Sequence, residues 1–512
     1  MKRLIKILGL PFFMLMCLLP AGCDEFCDGL LSQEPETMVS DVNFWRTEDD
    51  VAAMTAQLHA RLRNCFRRVE ARAYRDRGLP FDFKGYLWAN ISRNELEKSW
   101  TLTSSVLDWR NEYGVIAVAN QIIDNIHRAG LPADRRDYYL GQAYVVRAWM
   151  YFYILRTWGD APLVLKSFDK EAHGRAPWRE IAGKVMSDLR EAAVMLPPAG
   201  ELKDKGGAKV MSKQVASRGT AGALLVHVCA WTAALNDEPE LRREALRAAD
   251  EVIGGGEYAL VGSPAEVCST VLQGNSQEGI FELDFYDIEG EENLAGSTLA
   301  LFCETWPVVP IYTSATPRMN LRLSFEAVDR LYPDAGDLRR KEYFYELDST
   351  RDFPEAVNQN SAYIWKFRRL KFHESGWLAG LPRILDQNEI LVRLPDILLL
   401  RAELRELEGD IAGAIADLNT VRKRAGARPY SPAEGSLKSA IFMERLRELF
   451  CEGIQTYFFD ALRTGYYKEV LDGRFRTVAD RDALYLPVGV NAFYFNPVMR
   501  QNAYWARNGF AI

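Results

Sequence analysis

Residues 398–426 read LLLRAELRELEGDIAGAIADLNTVRKRAG, and this stretch decides the fold class. Apolar residues recur at helical spacing on both sides of Gly409 and Asp410, which predicts two helices joined by a tight turn. Each helix has one apolar face, so the pair must bury that face against a neighbouring pair, as tetratricopeptide-type repeats do. The small residues expected to let the two helices approach closely are Ala402, Ala412, Ala414 and Ala416.

The same helical spacing continues through most of the chain. Thr47 and Asp50 have the spacing of an N-terminal cap, so a helix is predicted to start there. Pro162 is expected to prevent an aromatic helix over residues 138–158 from continuing. The pairs recur at irregular intervals, which indicates stacked helix pairs rather than a regular solenoid. Further helices are predicted over residues 109–126, 180–196, 213–235, 241–253, 393–408, 411–425, 436–451 and 456–463.

Residues 257–390 have a different pattern. They contain clusters of Gly, Pro and Asn, short β-like runs such as residues 279–283, and few long helical stripes. Long loop-rich segments usually carry function, so this insertion is the first place to look for a ligand site. The expected fold class is therefore mainly α, with tetratricopeptide-like helix pairs as a scaffold and an irregular insertion that carries short strands.

The N-terminus has the pattern of an export signal. Basic residues in the first six positions precede an uncharged run over residues 7–21, which is too short to span a bilayer. Residues 19–23, LPAGC, resemble a bacterial lipobox in which Cys23 becomes the lipidated first residue, for example with palmitate. Pro20 departs from the usual aliphatic residue at its position. We expect a signal over residues 1–22, a tether over 23–40 and a helical domain over 41–512.

The charge of the expected mature chain argues against nucleic acid as a partner. Residues 23–512 hold 60 basic and 70 acidic side chains, whereas nucleic-acid binding needs a basic stripe. An exported chain could form disulfides, but the spacing of its cysteines fixes no pairing. The cysteines whose state stays open are Cys27, Cys65, Cys229, Cys268, Cys303 and Cys451.

Several motifs occur in a recognisable order behind the lipobox-like start. They include FWRTEDD at residues 44–50, RAW at 147–149, GDAPLV at 159–164, YPDAGDLR at 332–339 and the helix pair at 401–426. Together they resemble the SusD/RagB family of nutrient-binding outer-membrane lipoproteins, over nearly the whole chain. Charged residues of these motifs on helices, such as Arg147, Glu403, Arg422 and Glu448, are interpreted as helix–helix contacts and not as site residues.

The resemblance implies a function in nutrient capture. Such a protein is anchored by lipid to the outer membrane and faces the cell exterior. It binds a glycan and delivers it to a SusC-type TonB-dependent transporter by capture and lid closure, and it breaks no bond, so no enzyme activity and no cofactor are expected. The alternatives left open are a peptide or glycopeptide binder of RagB type, a lipid-anchored glycoside hydrolase, and a purely structural scaffold.

Sugar recognition sets the choice of site residues. Pyranose rings stack on exposed aromatic faces, while hydroxyl groups need amides, carboxylates or guanidinium groups, so aromatics in loops are informative. In this family the ligand contacts come largely from two such regions, residues 85–100 and the insertion. Aromatics on helical stripes are interpreted as core: Trp109, Trp149, Trp158 and Trp231. The predicted ligand-binding residues are Trp88, Asn90, Trp100, Trp306, Tyr312 and Trp377.

Motifs for catalysis are missing from the sequence. It contains no Gly-x-Ser-x-Gly elbow, no His-Glu-x-x-His motif and no Walker loop. A glycosidase carboxylate pair cannot be tested by counting, because its signature is a distance. Residues 284–293 hold five carboxylates that could bind calcium, but they lack the fixed ligand spacing of an EF-hand, and a solvated loop is favoured.

Overall fold

The computed structural model describes residues 44–67, 81–83, 107–287, 305–309, 311–313, 315, 321–453, 456–471, 481–494 and 496–510. The predicted signal, the tether and Cys23 lie outside the described residues, as do Trp88, Asn90 and Trp100. None of the helices in the described part combines the length and the apolar character that a bilayer span requires.

Helices dominate the described chain, as the sequence predicts. The longer ones are α1 (Glu48–Arg67), α2 (Arg110–Asn125), α3 (Ala133–Trp158), α4 (Trp178–Met195), α5 (Arg218–Asn236), α6 (Pro239–Gly254), α7 (Phe325–Leu331), α8 (Leu394–Leu407), α9 (Ile411–Arg424), α10 (Leu437–Glu448) and α11 (Thr456–Thr464). From α1 to α6 each helix packs against the next, and α6 then packs against α8. The stack continues through α9 and α10. Because α6 and α8 are neighbours in space, the insertion, which lies between them in the sequence, starts and ends at adjacent helices.

Three helix ends show how local chemistry sets the boundaries. At the start of α1, the Asp50 carboxylate accepts from the backbone N–H of Thr47 at 2.8 Å, which confirms the predicted cap. Helix α5 starts five residues later than predicted, because Ser217 and Thr220 form a reciprocal capping box. Helix α3 ends before Pro162 is reached, since Gly159 adopts φ +75° directly after the last turn.

The small residues of the α8–α9 pair divide into two groups. Ala402 and Ala414 are fully buried where the two helices meet, as predicted. Ala412 and Ala416 are exposed, so the prediction that they mediate the close approach is wrong. They lie on the outward face of α9, because their spacing from Ala414 places them about 160° away around the helix.

The insertion contains short strands in three small sheets. Strands β1 (Phe81–Phe83), β3 (Leu321–Ser324) and β4 (Ser361–Ala362) form one antiparallel sheet. Strand β2 (Gly279–Leu283) pairs with β7 (Glu389–Arg393), and β5 (Leu370–Phe372) pairs with β6 (Pro382–Leu385). Its shorter helices are Pro264–Glu266, Arg339–Tyr343, Leu347–Arg351 and Glu355–Asn358.

Two hydrophobic cores support this arrangement. The large core lies between the helices and β2, and it contains the four tryptophans predicted to be buried: Trp109, Trp149, Trp158 and Trp231. The small core lies under the insertion around Tyr332, Tyr343 and Phe450. The described thiols Cys65, Cys229, Cys268 and Cys451 are buried and form no disulfide.

A buried group of charges joins the insertion to the helical stack. The Glu448 carboxylate at the end of α10 lies 2.6 Å from the guanidinium of Arg393 and 3.2 Å from that of Arg339, and it also contacts Arg424. These guanidinium groups hold the pKa of Glu448 well below its ordinary value although burial alone would raise it. Charges paired in this way fix the position of the insertion against α10.

Candidate functional site

Trp306 lies at the centre of an aromatic group in the insertion. Its side chain is half-buried, and its ring centroid is 5.2 Å from Tyr345, 5.9 Å from Phe353 and 5.4 Å from Tyr363. Tyr363 is fully buried and supports Trp306 edge-to-face, whereas Tyr345 and Phe353 are themselves half-buried. Trp306, Tyr345 and Phe353 therefore keep part of their surface exposed to solvent.

Trp365 extends this group. Its ring centroid is 5.2 Å from that of Tyr345 and 5.1 Å from the Arg368 guanidinium. We call Trp306, Tyr345, Phe353, Tyr363 and Trp365 the aromatic platform.

Backbone pairing builds the platform. The N–H of Tyr345 donates to the carbonyl of Tyr363 at 2.9 Å, and the N–H of Trp365 donates to the carbonyl of Tyr343 at 2.8 Å. Two short extended segments thus run antiparallel and place their alternate side chains on one face. The sequence analysis did not predict four members of the platform, which are Tyr345, Phe353, Tyr363 and Trp365. The available signal was the alternation of Tyr363 and Trp365, which is typical of a strand with one aromatic face.

The other two described site residues lie in adjoining segments. Tyr312 is half-buried, and its N–H donates to the carbonyl of Val309 at 3.1 Å. Trp377 is 91% exposed in the loop between β5 and β6. A Cβ on Gly380 in that loop would lie 2.6 Å from Ile311, so the loop is packed directly against the segment that carries Tyr312.

The first sheet joins the strand at residues 81–83 to the insertion. Phe81 in β1 pairs with Leu323 in β3, and β3 pairs with Ala362, which directly precedes Tyr363. Whether Trp88, Asn90 and Trp100 join the platform stays a prediction.

Ion pairs stabilise the base of the β5–β6 loop, which carries Trp377. The Asp287 carboxylate accepts from Lys371 in β5 at 3.2 Å and from Arg383 in β6 at 2.9 Å. These two cations lower the pKa of Asp287 to about 2. Asp284 is buried and bonds to Asn388 and Tyr286. Two carboxylates of the acidic run at 284–293 therefore have protein partners, and calcium binding by the run stays untested.

The charged motif residues excluded from the site have structural partners. Arg147 forms a two-pronged ion pair with buried Asp188, with N···O distances of 2.8 and 2.9 Å. Glu403 pairs with Arg463, and Arg422 pairs with Glu444 at 3.0 Å. These contacts join neighbouring helices, which confirms the interpretation that they hold the helices in register.

A possible metal-binding group lies elsewhere on the helical body. In the described part of the chain, Asp169, Glu171 and His173 bring one ligand atom each within 4.8 Å of one another. The group is mostly exposed, and His173 is already hydrogen-bonded to Asp169 at 2.9 Å. Nothing connects it to the platform, so we assign it no role.

Two family models match the sequence. Residues 33–212 match SusD-like_3, described as starch-binding and associating with the outer membrane, and residues 334–505 match SusD_RagB, described as the SusD family. Together the two matches cover more than half of the chain and contain most of the ordered motifs. The chain belongs to the SusD family. Members of this family are carbohydrate-binding proteins without catalytic activity, and they bind glycans for uptake.

Relatives agree with this membership, and solved structures share the fold. The chain is 26% identical to SusD-like protein P38 of Formosa agariphila, over 88% of this chain and 90% of that protein. It is 24% identical to SusD-like protein P25 of the same organism, over 87% of this chain and 88% of that protein. A SusD homologue from Bacteroides thetaiotaomicron superimposes with a TM-score of 0.75 at 22% identity, over 90% of this chain and 99% of that one. NanU of B. fragilis superimposes with a TM-score of 0.70 at 19% identity, over 92% of this chain and 99% of that one.

Proposed function

We propose that the protein captures a glycan on the aromatic platform and passes it to a SusC-type TonB-dependent transporter. The observation that carries the proposal is Trp306, a half-buried indole whose supporting rings hold it in place while part of its face stays open. A tryptophan braced in this way offers a rigid apolar surface at little cost in side-chain entropy, which suits stacking on a pyranose ring.

Polar groups beside the platform support a sugar as the ligand. Arg368 lies against Trp365, and the Glu346 side chain is exposed next to Tyr345. Guanidinium and carboxylate groups are suitable partners for hydroxyls, as the stacking hypothesis requires. Tyr312 and Trp377 would extend the binding surface toward the β5–β6 loop.

The location and the transport step follow from family membership rather than from the site. The SusD-like description associates the family with the outer membrane. In our proposal, Cys23 carries the lipid anchor, the domain faces the cell exterior, and closure over the transporter traps the ligand. The experiment for this part is labelling of intact cells with fatty-acid probes, with Cys23→Ser expected to lose both the label and the surface location.

A glycan array with residues 24–512 tests the binding proposal. We expect wild-type protein to bind at least one class of oligosaccharide, and Trp306→Ala to lose that signal. Trp88→Ala, run beside it, tests whether the segment before α2 contributes. Phe168→Ala is the matched control, because Phe168 is a 70% exposed aromatic on the loop between α3 and α4.

Other outcomes point to the alternatives. Binding to peptides but to no glycan would place the protein with RagB-like binders and would overturn the proposal. Release of reducing sugar from a bound oligosaccharide would indicate a glycoside hydrolase.

A further inference from the structure

A polar cleft lies outside the insertion, on the helical body. It has a volume of about 430 Å³, which is within the roughly 300–1,000 Å³ that small-ligand pockets occupy. It opens between the end of α3, the start of α4, the end of α5 and the C-terminal segment. The lining residues that matter here are Asp160, Arg175, Trp178, Asn236, Arg481 and Asp482.

Arg175 supplies a fixed cation to this cleft. Its guanidinium donates to the carbonyl of Asp160 at 2.7 Å and to the carbonyl of Trp158 at 3.1 Å. Within the described residues no carboxylate forms an ion pair with it, and burial lowers its pKa. The group is therefore held rigidly by neutral carbonyls, and part of its capacity to donate hydrogen bonds stays available.

Trp178 supplies an aromatic side chain to the lining of the same cleft. The Asp160 carboxylate accepts from the backbone N–H of Trp178 at 2.8 Å, which fixes the backbone at the first turn of α4. The side chain of Trp178 is half-buried. Asn236 at the end of α5 donates its amide N–H to Glu238 at 3.1 Å, which leaves its side-chain carbonyl free to accept.

The charges that line the cleft balance. Arg175 and Arg481 supply two positive charges, and Asp160 and Asp482 supply two negative charges. A balanced lining disfavours an ion and favours an uncharged polar ligand. A pyranose ring needs an aromatic face for stacking and polar groups for its hydroxyls. The cleft offers an aromatic side chain together with guanidinium, carboxylate and amide groups, so it suits the same kind of ligand as the platform.

We propose that this cleft is a second carbohydrate subsite, which takes one neutral pyranose unit. The proposal rests on the proposed function, because it assumes a glycan-binding protein. A glycan long enough to reach both the platform and the cleft would bind more tightly than it could bind to either site alone. A single sugar unit would be held weakly in the cleft.

Saturation-transfer NMR with uncharged methyl pyranosides tests the cleft. The panel contains the methyl glycosides of glucose, galactose, mannose and xylose, and the protein is residues 24–512. We expect at least one of them to receive saturation from wild-type protein. Arg481→Ala and Trp178→Ala should each weaken that binding at least tenfold. Arg481 is exposed, so its variant keeps the fold even if Trp178→Ala does not.

Two further variants separate this site from the platform. Trp306→Ala should leave the pyranoside signal of the cleft in place, and Arg330→Ala, an exposed arginine on α7, should change nothing. The proposal is overturned if no pyranoside receives saturation from wild-type protein, or if Arg481→Ala binds as well as wild type. A signal lost only in Trp306→Ala would place all sugar binding at the platform and would also reject the cleft.

Discussion

At the scale of single residues, buried charges carry much of the specificity of this fold. Arg147 on α3 is 2% exposed and links Asp188 on α4 to the side-chain carbonyl of Asn120 on α2, the latter at 2.9 Å. Each charge is desolvated, so its partner must be present and correctly placed. One arginine therefore fixes the relative positions of three helices.

Removal of Arg147 should destabilise the protein strongly. Among the residues that the structure describes, Arg147→Met leaves buried Asp188 with Lys184 as its remaining cationic partner, at 2.7 Å. We expect a loss of about 3–5 kcal/mol in the free energy of unfolding, measured by urea denaturation. Arg190→Met is the matched control, because Arg190 forms an exposed pair with Glu244 and should cost under about 1 kcal/mol. Equal losses in both variants would contradict this account.

Glu282 in β2 should make stability depend on pH. Its carboxylate accepts from the N–H of Asn275 at 2.8 Å and from the amide of Asn388 at 2.9 Å, and that same amide donates to Asp284 at 2.7 Å. Burial raises the pKa of Glu282 to about 7, with a smaller contribution from Asp284, although nearby Lys213 opposes the shift. Two buried carboxylates thus share one amide donor.

The direction of this effect follows from proton linkage. The folded state holds the proton of Glu282 at pH values where the unfolded chain, with a pKa near 4.5, has lost it. Stability should therefore fall as pH rises from about 4.5 to 7, by on the order of 3 kcal/mol from this group. Glu282→Gln should flatten that part of the curve and be more stable than wild type at pH 8. The control Glu251→Gln, exposed on α6, should follow the wild-type curve.

At the scale of elements, the α8–α9 pair depends on which small residues face inward. Ala402 and Ala414 have no exposed surface, while Ala416 is exposed two residues further along α9. Ala402→Leu or Ala414→Leu should lower the free energy of unfolding by about 1–3 kcal/mol, because extra methylenes must be forced into a filled contact. Ala416→Leu, the matched control, should change it by less than about 0.5 kcal/mol. Thermal unfolding followed by circular dichroism measures the stability of these variants against wild type.

Most elements could be predicted from the sequence because helices carry a local signal. The period of 3.6 residues is repeated in α4 and α6, and single caps such as Thr47 and Asp50 mark a start. The errors lie where one residue overrides the pattern. The predicted end of α3 at Trp158 is confirmed, whereas α5 starts five residues later than predicted because the Ser217 capping box is decided by a few hydrogen bonds.

At the scale of the whole molecule, the insertion was recognisable but its internal arrangement was not. Trp306 was identified from its exposed-loop context, whereas Tyr345 and Trp365 were missed, since their contact depends on two segments twenty residues apart pairing in one register. Strand β1 meets β3 across more than two hundred residues. No local pattern encodes such pairings, which depend on the packing of the complete chain.

The exposed end of the site gives a further prediction. Trp377 is 91% exposed in the β5–β6 loop, so its removal should leave the free energy of unfolding within about 0.5 kcal/mol of wild type. If the loop extends the binding surface, Trp377→Ala should still weaken binding of a long glycan by about 1 kcal/mol, or roughly fivefold in Kd. Calorimetry with a short and a long oligosaccharide measures this, and an unchanged Kd for both would remove Trp377 from the site.

Isothermal titration calorimetry of Trp306→Ala against wild-type protein tests the central claim most directly. The ligand is the glycan that the array identifies, and Phe168→Ala is measured beside it. The account predicts that Trp306→Ala loses at least about 2 kcal/mol of binding free energy, or roughly thirtyfold in Kd, while Phe168→Ala binds as wild type does. A folded Trp306→Ala protein that binds the glycan with unchanged affinity would contradict the account.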